Sequence, residues 1–194
     1  MANSAERLPD PMTGEEFVRW MNTWIDQKWE LYEGHPVKMS GGSADHSVIA
    51  SNIDFALRAL RDRGCRAYRD HLLRSPANDG LAAFPDIFVR CGSGNGGKTW
   101  QNDAVAVFEV LSPSTMRVDR GYKSEQYERF PTMRHICLVH QNEVRIEMWS
   151  RDDDGEWIRE PEILQGLDKI LRLTAFDLPI LMADIYADTA LAGG

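Results

Sequence analysis

The sequence predicts an α/β or α+β fold in which helices flank a mixed central β-sheet. Three observations lead to this prediction. A helix, a hairpin and a long helix precede most of the strands, so helices and strands alternate only in part. Two uninterrupted apolar runs, 84–91 and 104–111, are typical of strands that are buried on both faces. A length of 194 residues suits one domain with a core of its own.

The first 64 residues carry local signals for each of their elements. Thr13 begins a capping-box pattern, and apolar residues at helical spacing then predict a helix over 13–24. Short extended runs around a Glu-Gly pair predict a hairpin over 29–39. Ser43 is a suitable N-cap for a long helix that ends at Gly64. The inward stripe of this helix consists of Ile49, Ile53, Leu57 and Leu60.

The rest of the chain is predicted to be rich in strands. Strands are expected at 65–70, 84–91, 104–111, 135–140, 144–150 and 156–160. A helix over 115–129 follows a Ser-Pro-Ser break, and a short helix over 178–186 closes the chain. We therefore expect a flexible segment 1–12, one domain over 13–188 and a tail 189–194.

Composition and cysteine content favour a cytoplasmic protein without a membrane segment. The sequence has no run of 18 apolar residues, and the Pro-Asp-Pro segment 9–11 interrupts the place where a signal peptide needs apolar residues. An odd number of cysteines, scattered without metal or redox spacing, suits a reducing compartment. The three are Cys65, Cys91 and Cys137.

The net charge of −8 is distributed unevenly. A negative net charge by itself argues against a nucleic-acid partner. Most of the excess acid, however, lies in residues 1–33 and 150–194. In contrast, residues 56–74 hold six arginines against two aspartates, and residues 116–134 are also net positive. Such clusters either mark an interaction face or simply solvate two helices.

A glycine-rich loop over 92–99 matches the phosphate-binding pattern GxxxxGK[ST]. Phosphate binding by such a loop requires a helix directly after it. Residues 100–103 lead straight into the strand at 104, so the pattern favours a hairpin connection instead. Nucleotide binding through Lys98 stays as a disfavoured alternative.

Three acids stand in apolar surroundings. Glu109 lies inside the run 104–111, Asp86 inside 84–91, and Glu30 between large apolar residues. A lone ionised carboxylate in a core costs several kcal/mol, so a shared electropositive partner such as a divalent cation would account for all three. Alternatively, each acid lies at a strand end or pairs with an arginine.

The predicted helix 115–129 brings a basic group toward these acids. Asp119, Lys123 and Tyr127 follow one another at four-residue spacing and share a helix face. Lys123 can neutralise the acids, orient a water or stabilise charge on a phosphate, unless it only forms a solvated pair with Asp119. His46 heads the inward stripe of the long helix, as a site residue or as a packing residue.

Together these residues resemble the Uma-two family of restriction endonuclease-type proteins, within the PD-(D/E)XK nuclease superfamily. The resemblance covers residues 13–186 and rests on Pro85-Asp86, on the segment from Glu109 to Ser114, and on the spacing that places Lys123 in the following helix. It implies a restriction endonuclease-like fold, with a mixed sheet flanked by helices.

The resemblance also implies an activity, namely Mg²⁺- or Mn²⁺-dependent endonucleolytic hydrolysis of DNA phosphodiester bonds. Asp86 and Glu109 would be the metal ligands. Lys123 would be the catalytic lysine, displaced from the usual position two residues after the Glu, which is Leu111 here. The other implied site residues are Glu30 and His46 as catalytic residues, and Asp119 and Tyr127 as accessory residues.

DNA is the implied partner, and a homodimer suits a nuclease that must address both strands. The arginine-rich segments would contact backbone phosphates and give affinity without base readout. The predicted contacts are Arg58, Arg61, Arg66, Arg69, Arg117 and Arg120. A non-cleaving DNA-binding or assembly module on the same fold is the main alternative.

Overall fold

The structure is a computed structural model that describes residues 10–24, 27–39, 42–75, 81–94, 99–112 and 119–193, with the side chains of 119 and 120 excepted. In chain order, the helices and strands are α1 (Gly14–Met21), β1 (Trp29–Tyr32), β2 (His35–Lys38), α2 (Ala44–Leu57), β3 (Cys65–Tyr68), β4 (Leu72–Arg74), β5 (Leu81–Ala83), β6 (Ile87–Cys91), β7 (Trp100–Gln101), β8 (Ala104–Leu111), α3 (Ser124–Glu128), β9 (His135–His140), β10 (Arg145–Ser150), β11 (Glu162–Gln165), β12 (Ile170–Leu173), β13 (Leu178–Leu181) and α4 (Met182–Ile185). Short 3₁₀ segments span Arg58–Arg63 and Thr174–Phe176, and a π-helical turn spans Asp119–Lys123.

A six-stranded mixed sheet is the centre of the described structure. Its strand order is β11-β10-β9-β8-β6-β3. Strands β8 and β9 are parallel, whereas the other neighbours are antiparallel, which confirms the predicted mixed sheet. Ile87 of β6 pairs with Phe108 of β8, and the same register continued by one residue places Asp86 beside Glu109. The two acids therefore meet at one end of the sheet.

Helix α2 packs on one face of this sheet and forms its main core. Ser43 caps the helix by accepting a hydrogen bond from the backbone of His46, at 3.1 Å. The predicted inward stripe is fully buried among β6, β8, β9 and α4. The helix continues as a 3₁₀ segment and ends at Gly64, whose φ of +74° is the left-handed conformation that glycine adopts readily.

A second sheet, with the order β2-β1-β5-β4-β7, carries Glu30. Its strands β1 and β2 form the predicted hairpin. Helix α1 packs against this sheet, and both hydrogen bonds of the predicted capping box at Thr13 are present at the start of the helix. Strands β4, β5 and β7 have only two or three residues each, and the sequence did not predict them.

The strand predicted at 84–91 begins only at Ile87. Pro85 has no backbone N–H to contribute to a ladder, so the chain joins the sheet after it. Asp86 therefore lies at the strand's start, and its side chain is 24% exposed.

Two C-terminal predictions were wrong. In place of the strand predicted at 156–160 the structure has one bridge, between Arg151 and Trp157, and the strand β11 follows at Glu162–Gln165. The Trp157 indole donates to the carbonyl of Glu128, so this segment packs toward α3 instead of extending the sheet. In place of a helix over 178–186, β13 pairs with β12 and only the short α4 is helical.

The cysteines are also not scattered in space. Cys65 and Cys91 are directly paired on β3 and β6 and form a disulfide, which corrects the interpretation of the cysteines as scattered residues that suit a reducing compartment. Cys137 is buried as a free thiol, and burial raises its pKa. No helix in the described part of the chain is long and apolar enough to cross a membrane.

The glycine-rich loop joins antiparallel strands. Strand β6 pairs directly with β8 in the antiparallel sense, and residues 99–103 contain β7 and no helix. The helix that a phosphate-binding loop requires is therefore missing from this stretch. Residues 95–98, with Lys98, lie outside the described ranges, as does the 115–118 part of the predicted helix 115–129.

Candidate active site

Asp86 and Glu109 lie side by side where β6 and β8 meet. The Asp86 carboxylate accepts a hydrogen bond of 2.7 Å at Oδ2 from the backbone N–H of Val110. Nε2 of His46, from the first turn of α2, lies 3.2 Å from the same oxygen. The neighbouring strand and the helix thus fix the orientation of Asp86.

Glu109 is almost completely buried, with 4% of its side chain exposed. Its Oε1 accepts a 2.7 Å hydrogen bond from the hydroxyl of Tyr127. The Lys123 ammonium donates to the same atom at 3.2 Å. Lys123 comes from the π-helical turn and Tyr127 from α3, and their spacing predicted that both lie on one helix face.

Glu30 reaches the same point from the second sheet. Its Oε1 accepts a 2.8 Å hydrogen bond from the backbone N–H of Phe84, and its Oε2 accepts one from the Tyr32 hydroxyl. Lys123 Nζ lies 3.2 Å from Oε2 and also contacts Oε1. A single ammonium therefore joins a carboxylate from each sheet.

The lysine and its two glutamates form a buried charge cluster. At least 94% of each of the three side chains is withdrawn from solvent. Two carboxylates against one ammonium give a formal charge of −1, and the Asp86 carboxylate adds a further negative charge beside them. Such a site attracts cations, since low polarity around it strengthens the attraction.

Two tyrosines hold the glutamates as neutral donors. Burial is the main reason that the pKa of Tyr127 lies well above its ordinary value, and the negative charge of Glu109 adds to this effect. Burial likewise raises the pKa of Tyr32. Both hydroxyls therefore keep their protons at neutral pH and point hydrogen bonds at the carboxylates.

Some supporting residues were missed by the sequence reasoning. Tyr32 lies two residues after Glu30 in a strand, and this spacing places both side chains on one face, so it was a usable signal. The Ser43 hydroxyl donates to Gln141 at 2.7 Å and ties the start of α2 to the end of β9. Their separation of 98 residues left no local signal for that contact.

The predicted phosphate contacts are not gathered around the acids. Arg58 lies twelve residues after His46, which is about 18 Å along the helix axis. Arg61 and Arg66 are also at that far end, where the Arg66 guanidinium donates to the carbonyl of Arg61. Arg69 is nearer and donates to the Ser51 hydroxyl at 3.3 Å. Predicted site residues outside the described side chains are Arg117, Asp119 and Arg120.

Asp86 and Glu109 suit a hard divalent cation in kind and number. Magnesium is usually held by one or two carboxylates and fills its remaining positions with water and phosphate oxygens. Across the described ranges, no three His, Cys, Asp or Glu side chains converge into a metal cage made by the protein alone. The arrangement therefore fits a cation that shares its ligands with water and substrate.

Fold and site together define a protein of the restriction endonuclease-like class. A crystal structure from Anabaena variabilis, described as a "putative nuclease belonging to DUF820", has the same fold, with a TM-score of 0.70. At 16% identity the match covers 91% of this chain and 98% of that one. The family described as "Putative restriction endonuclease" (Uma2) matches residues 15–180, and this chain belongs to it.

Two uncharacterized proteins of Synechocystis are similar in sequence. One is 31% identical over 149 residues, which is 76% of this chain and 78% of the relative. The other is 24% identical over 139 residues, covering 68% of this chain and 77% of the relative. The match to the family model over residues 15–180 confirms the family membership that the sequence motifs predicted.

Proposed function

We propose that the chain is a divalent-metal-dependent endonuclease that hydrolyses phosphodiester bonds in DNA. One observation carries the proposal: the Lys123 ammonium lies 3.2 Å from Glu109, whose neighbour across the sheet is Asp86. Membership of a restriction endonuclease family supports this reaction class. A buried lysine beside paired carboxylates also places opposite charges where phosphoryl transfer needs them.

Asp86 and Glu109 would hold Mg²⁺ or Mn²⁺, and the ion would supply Lewis-acid chemistry by polarising a phosphoryl oxygen and activating a water. Lys123 donates hydrogen bonds at Nζ, so it can orient an attacking water or stabilise negative charge on the phosphate. His46 and the Val110 backbone keep Asp86 in place, while Tyr127 does the same for Glu109. Glu30 holds the ammonium from the other side.

Cleavage of supercoiled plasmid DNA tests the proposal. With Mn²⁺ or Mg²⁺, Asp86→Asn and Lys123→Ala should each lower the cleavage rate at least about 100-fold, the usual effect of removing a proton-transfer or charge-stabilising group. Asp168→Asn and Lys169→Ala are matched controls, because these two residues form an exposed ion pair and should leave the rate unchanged. Wild-type rates in both site variants would show that the assigned site is wrong.

A non-cleaving DNA-binding or assembly module is the second candidate. The observation in its favour is that the Lys123 ammonium neutralises part of the negative charge of the acidic cluster. Titration calorimetry separates the two. A nuclease should bind Mn²⁺ and lose that binding in Asp86→Asn, whereas the module should show no Mn²⁺ binding and keep salt-dependent DNA binding.

A cytoplasmic location and a homodimer belong to the same proposal. Cleavage of both strands at one locus is simplest with two copies of a single-site enzyme. Sedimentation velocity with and without duplex DNA tests the dimer, and fractionation of cells tests the location. A monomer on cleaved duplex would contradict the dimer.

A further inference from the structure

Phe55 is the most exposed large apolar side chain among the described residues, at 71%. It stands on the outer face of α2, opposite the buried stripe of that helix. Burying a phenylalanine side chain is stabilising, so leaving one in water gives up that stabilisation. In the part of the chain that the structure describes, Arg58 lies over this ring, and most of the ring's surface stays open to a ligand.

One arginine lies over this ring, and others follow in the next residues of the chain. The Arg58 guanidinium lies 5.6 Å from the ring centre, and its side chain is 56% exposed. Arg69 comes from the end of β3 and donates to Ser51, one helical turn before Phe55. We call this surface the Phe55 strip; its members are Ser51, Phe55, Arg58, Arg61, Arg66 and Arg69.

The charge of the Phe55 strip is opposite to that of the whole chain. Its four arginines are accompanied by Asp62, by Asp54, which pairs with Arg58 at 3.5 Å, and by Asp70, which pairs with Lys28. The strip is therefore net positive on a chain whose net charge is −8. A second copy docking there symmetrically would bring arginines against arginines, so the surface favours a polyanion.

We infer that the Phe55 strip binds a single-stranded segment of nucleic acid, with the Phe55 ring stacked on an unpaired base. This inference rests on the proposed function, because it takes nucleic acid as the substrate. An exposed ring can stack only on a base whose face is uncovered, and duplex bases cover one another. The arginines supply the phosphate contacts that accompany such stacking.

The position of the strip suits a flanking segment of the substrate. Phe55 lies nine residues after His46, about 14 Å along the axis of α2. That distance equals about four nucleotides at the 3.4 Å rise per strand of a duplex, and fewer where the strand is extended. The preferred substrate class is therefore DNA with an unpaired flank beside the cleaved bond.

Binding without cleavage gives the test. Fluorescence anisotropy in EDTA compares a labelled 20-nucleotide single strand with the same sequence as a duplex. Phe55→Ala and Phe55→Leu should each weaken single-strand binding about tenfold, equal to about 1.4 kcal/mol, and change duplex binding less than twofold. Phe55→Trp should restore it. Arg58→Ala should weaken the binding of both the single strand and the duplex. It should also lower the slope of log affinity against log salt concentration by about one.

Ile163→Ala is the matched control, because Ile163 is 52% exposed on the distant edge strand β11. It should leave binding unchanged. Wild-type single-strand binding in Phe55→Leu overturns the inference, as does a Phe55→Ala variant whose only change is loss of self-association. If the wild type binds no nucleic acid in EDTA and cleaves none with Mn²⁺, the proposed function fails as well. Duplex binding that is independent of Phe55 defeats only this inference.

Discussion

The charged side chain of Lys123 is almost completely buried. The side chain is 5% exposed and lies between Glu30 and Glu109. Burial of three charged groups costs free energy, and only their mutual attraction and their hydrogen bonds offset it. The cluster therefore depends on its lysine for folding as well as for any chemistry.

Lys123→Met should destabilise the protein by about 3–5 kcal/mol at pH 7, because two buried carboxylates lose their only described ammonium partner. Urea unfolding followed by circular dichroism measures the change. Adding Glu30→Gln to this variant should recover part of the stability, since one uncompensated charge is removed. Lys169→Met, at an exposed pair, should change the free energy by less than about 0.5 kcal/mol. A loss below about 1 kcal/mol in Lys123→Met would contradict this account.

His135 is a second buried titratable residue, and it lies away from the site. Its Nε2 accepts a 3.1 Å hydrogen bond from the backbone N–H of Ala175, so the ring proton is on Nδ1, which lies 2.9 Å from the Ser150 hydroxyl. Protonation of Nε2 would set two N–H groups against each other. Burial, with the charge of Arg134 as a smaller cause, lowers the pKa of His135 to about 4.

This shift makes stability depend on pH in a defined direction. A histidine in the unfolded chain has a pKa near 6.5, so it binds a proton as the pH falls below that value. In the folded protein His135 binds this proton only near pH 4, so the unfolded state is favoured between the two values. The stabilising contribution is complete above about pH 6.5 and is lost as the pH falls to 4, by roughly 3 kcal/mol. Urea unfolding of wild type and His135→Asn at both pH values measures it. Equal pH dependence in the two proteins would exclude His135 as the cause.

At the scale of elements, α2 links the core to the site. Its N-cap positions His46 against Asp86, and its C-terminal end depends on Gly64. At Gly64 a Cβ would meet nothing within 4 Å, so only the backbone conformation requires glycine there. This isolates the cost of left-handed backbone from the cost of a steric clash.

Gly64→Ala should therefore lower stability by about 1 kcal/mol. Gly121→Ala is the matched control, because a Cβ there also meets nothing within 4 Å, while its φ lies outside the positive range. Alanine should be neutral or slightly stabilising at that helical position. Thermal unfolding of both variants checks the opposite signs, and a neutral Gly64→Ala would refute the argument.

Elements with strong local signals could be predicted from the sequence, and short ones could not. Helix α2 has a cap, a stripe and a terminal glycine, and β8 spans the predicted 104–111 without a shift. Strands of two or three residues, such as β7, have no period to detect. The strand predicted at 156–160 failed because a tertiary contact of Trp157 outweighed local β-propensity.

The acids were predictable for the same local reason, because a carboxylate inside an apolar run is conspicuous in any sequence. Their partners differ in this respect. Lys123 could be placed near Glu109 from the order of strand and helix, whereas its contact with Glu30 spans 93 residues and depends on how the two sheets meet. The far position of Arg58 follows from the direction of α2, which charge counting does not reveal.

At the scale of the whole molecule, the site exists only where the two sheets come together. Glu30 belongs to the smaller sheet, Glu109 to the larger one, and Lys123 to the turn that contacts both. A change that loosens the larger sheet at its other end therefore affects the same sheet that carries Glu109. The disulfide between Cys65 and Cys91 closes that other end, where β3 is the edge strand.

Reduction of this disulfide should lower the free energy of unfolding by about 3.5 kcal/mol. The unfolded chain then regains the conformational entropy that a cross-link spanning 26 residues removes from it. Urea unfolding with and without dithiothreitol measures the difference, and the Cys65→Ser/Cys91→Ser double variant should no longer respond to the reductant. Thiol titration in denaturant without reductant should find one reactive cysteine, Cys137. Three reactive thiols in the freshly isolated protein would show that the pair is reduced there and that β3 is held by its ladder alone.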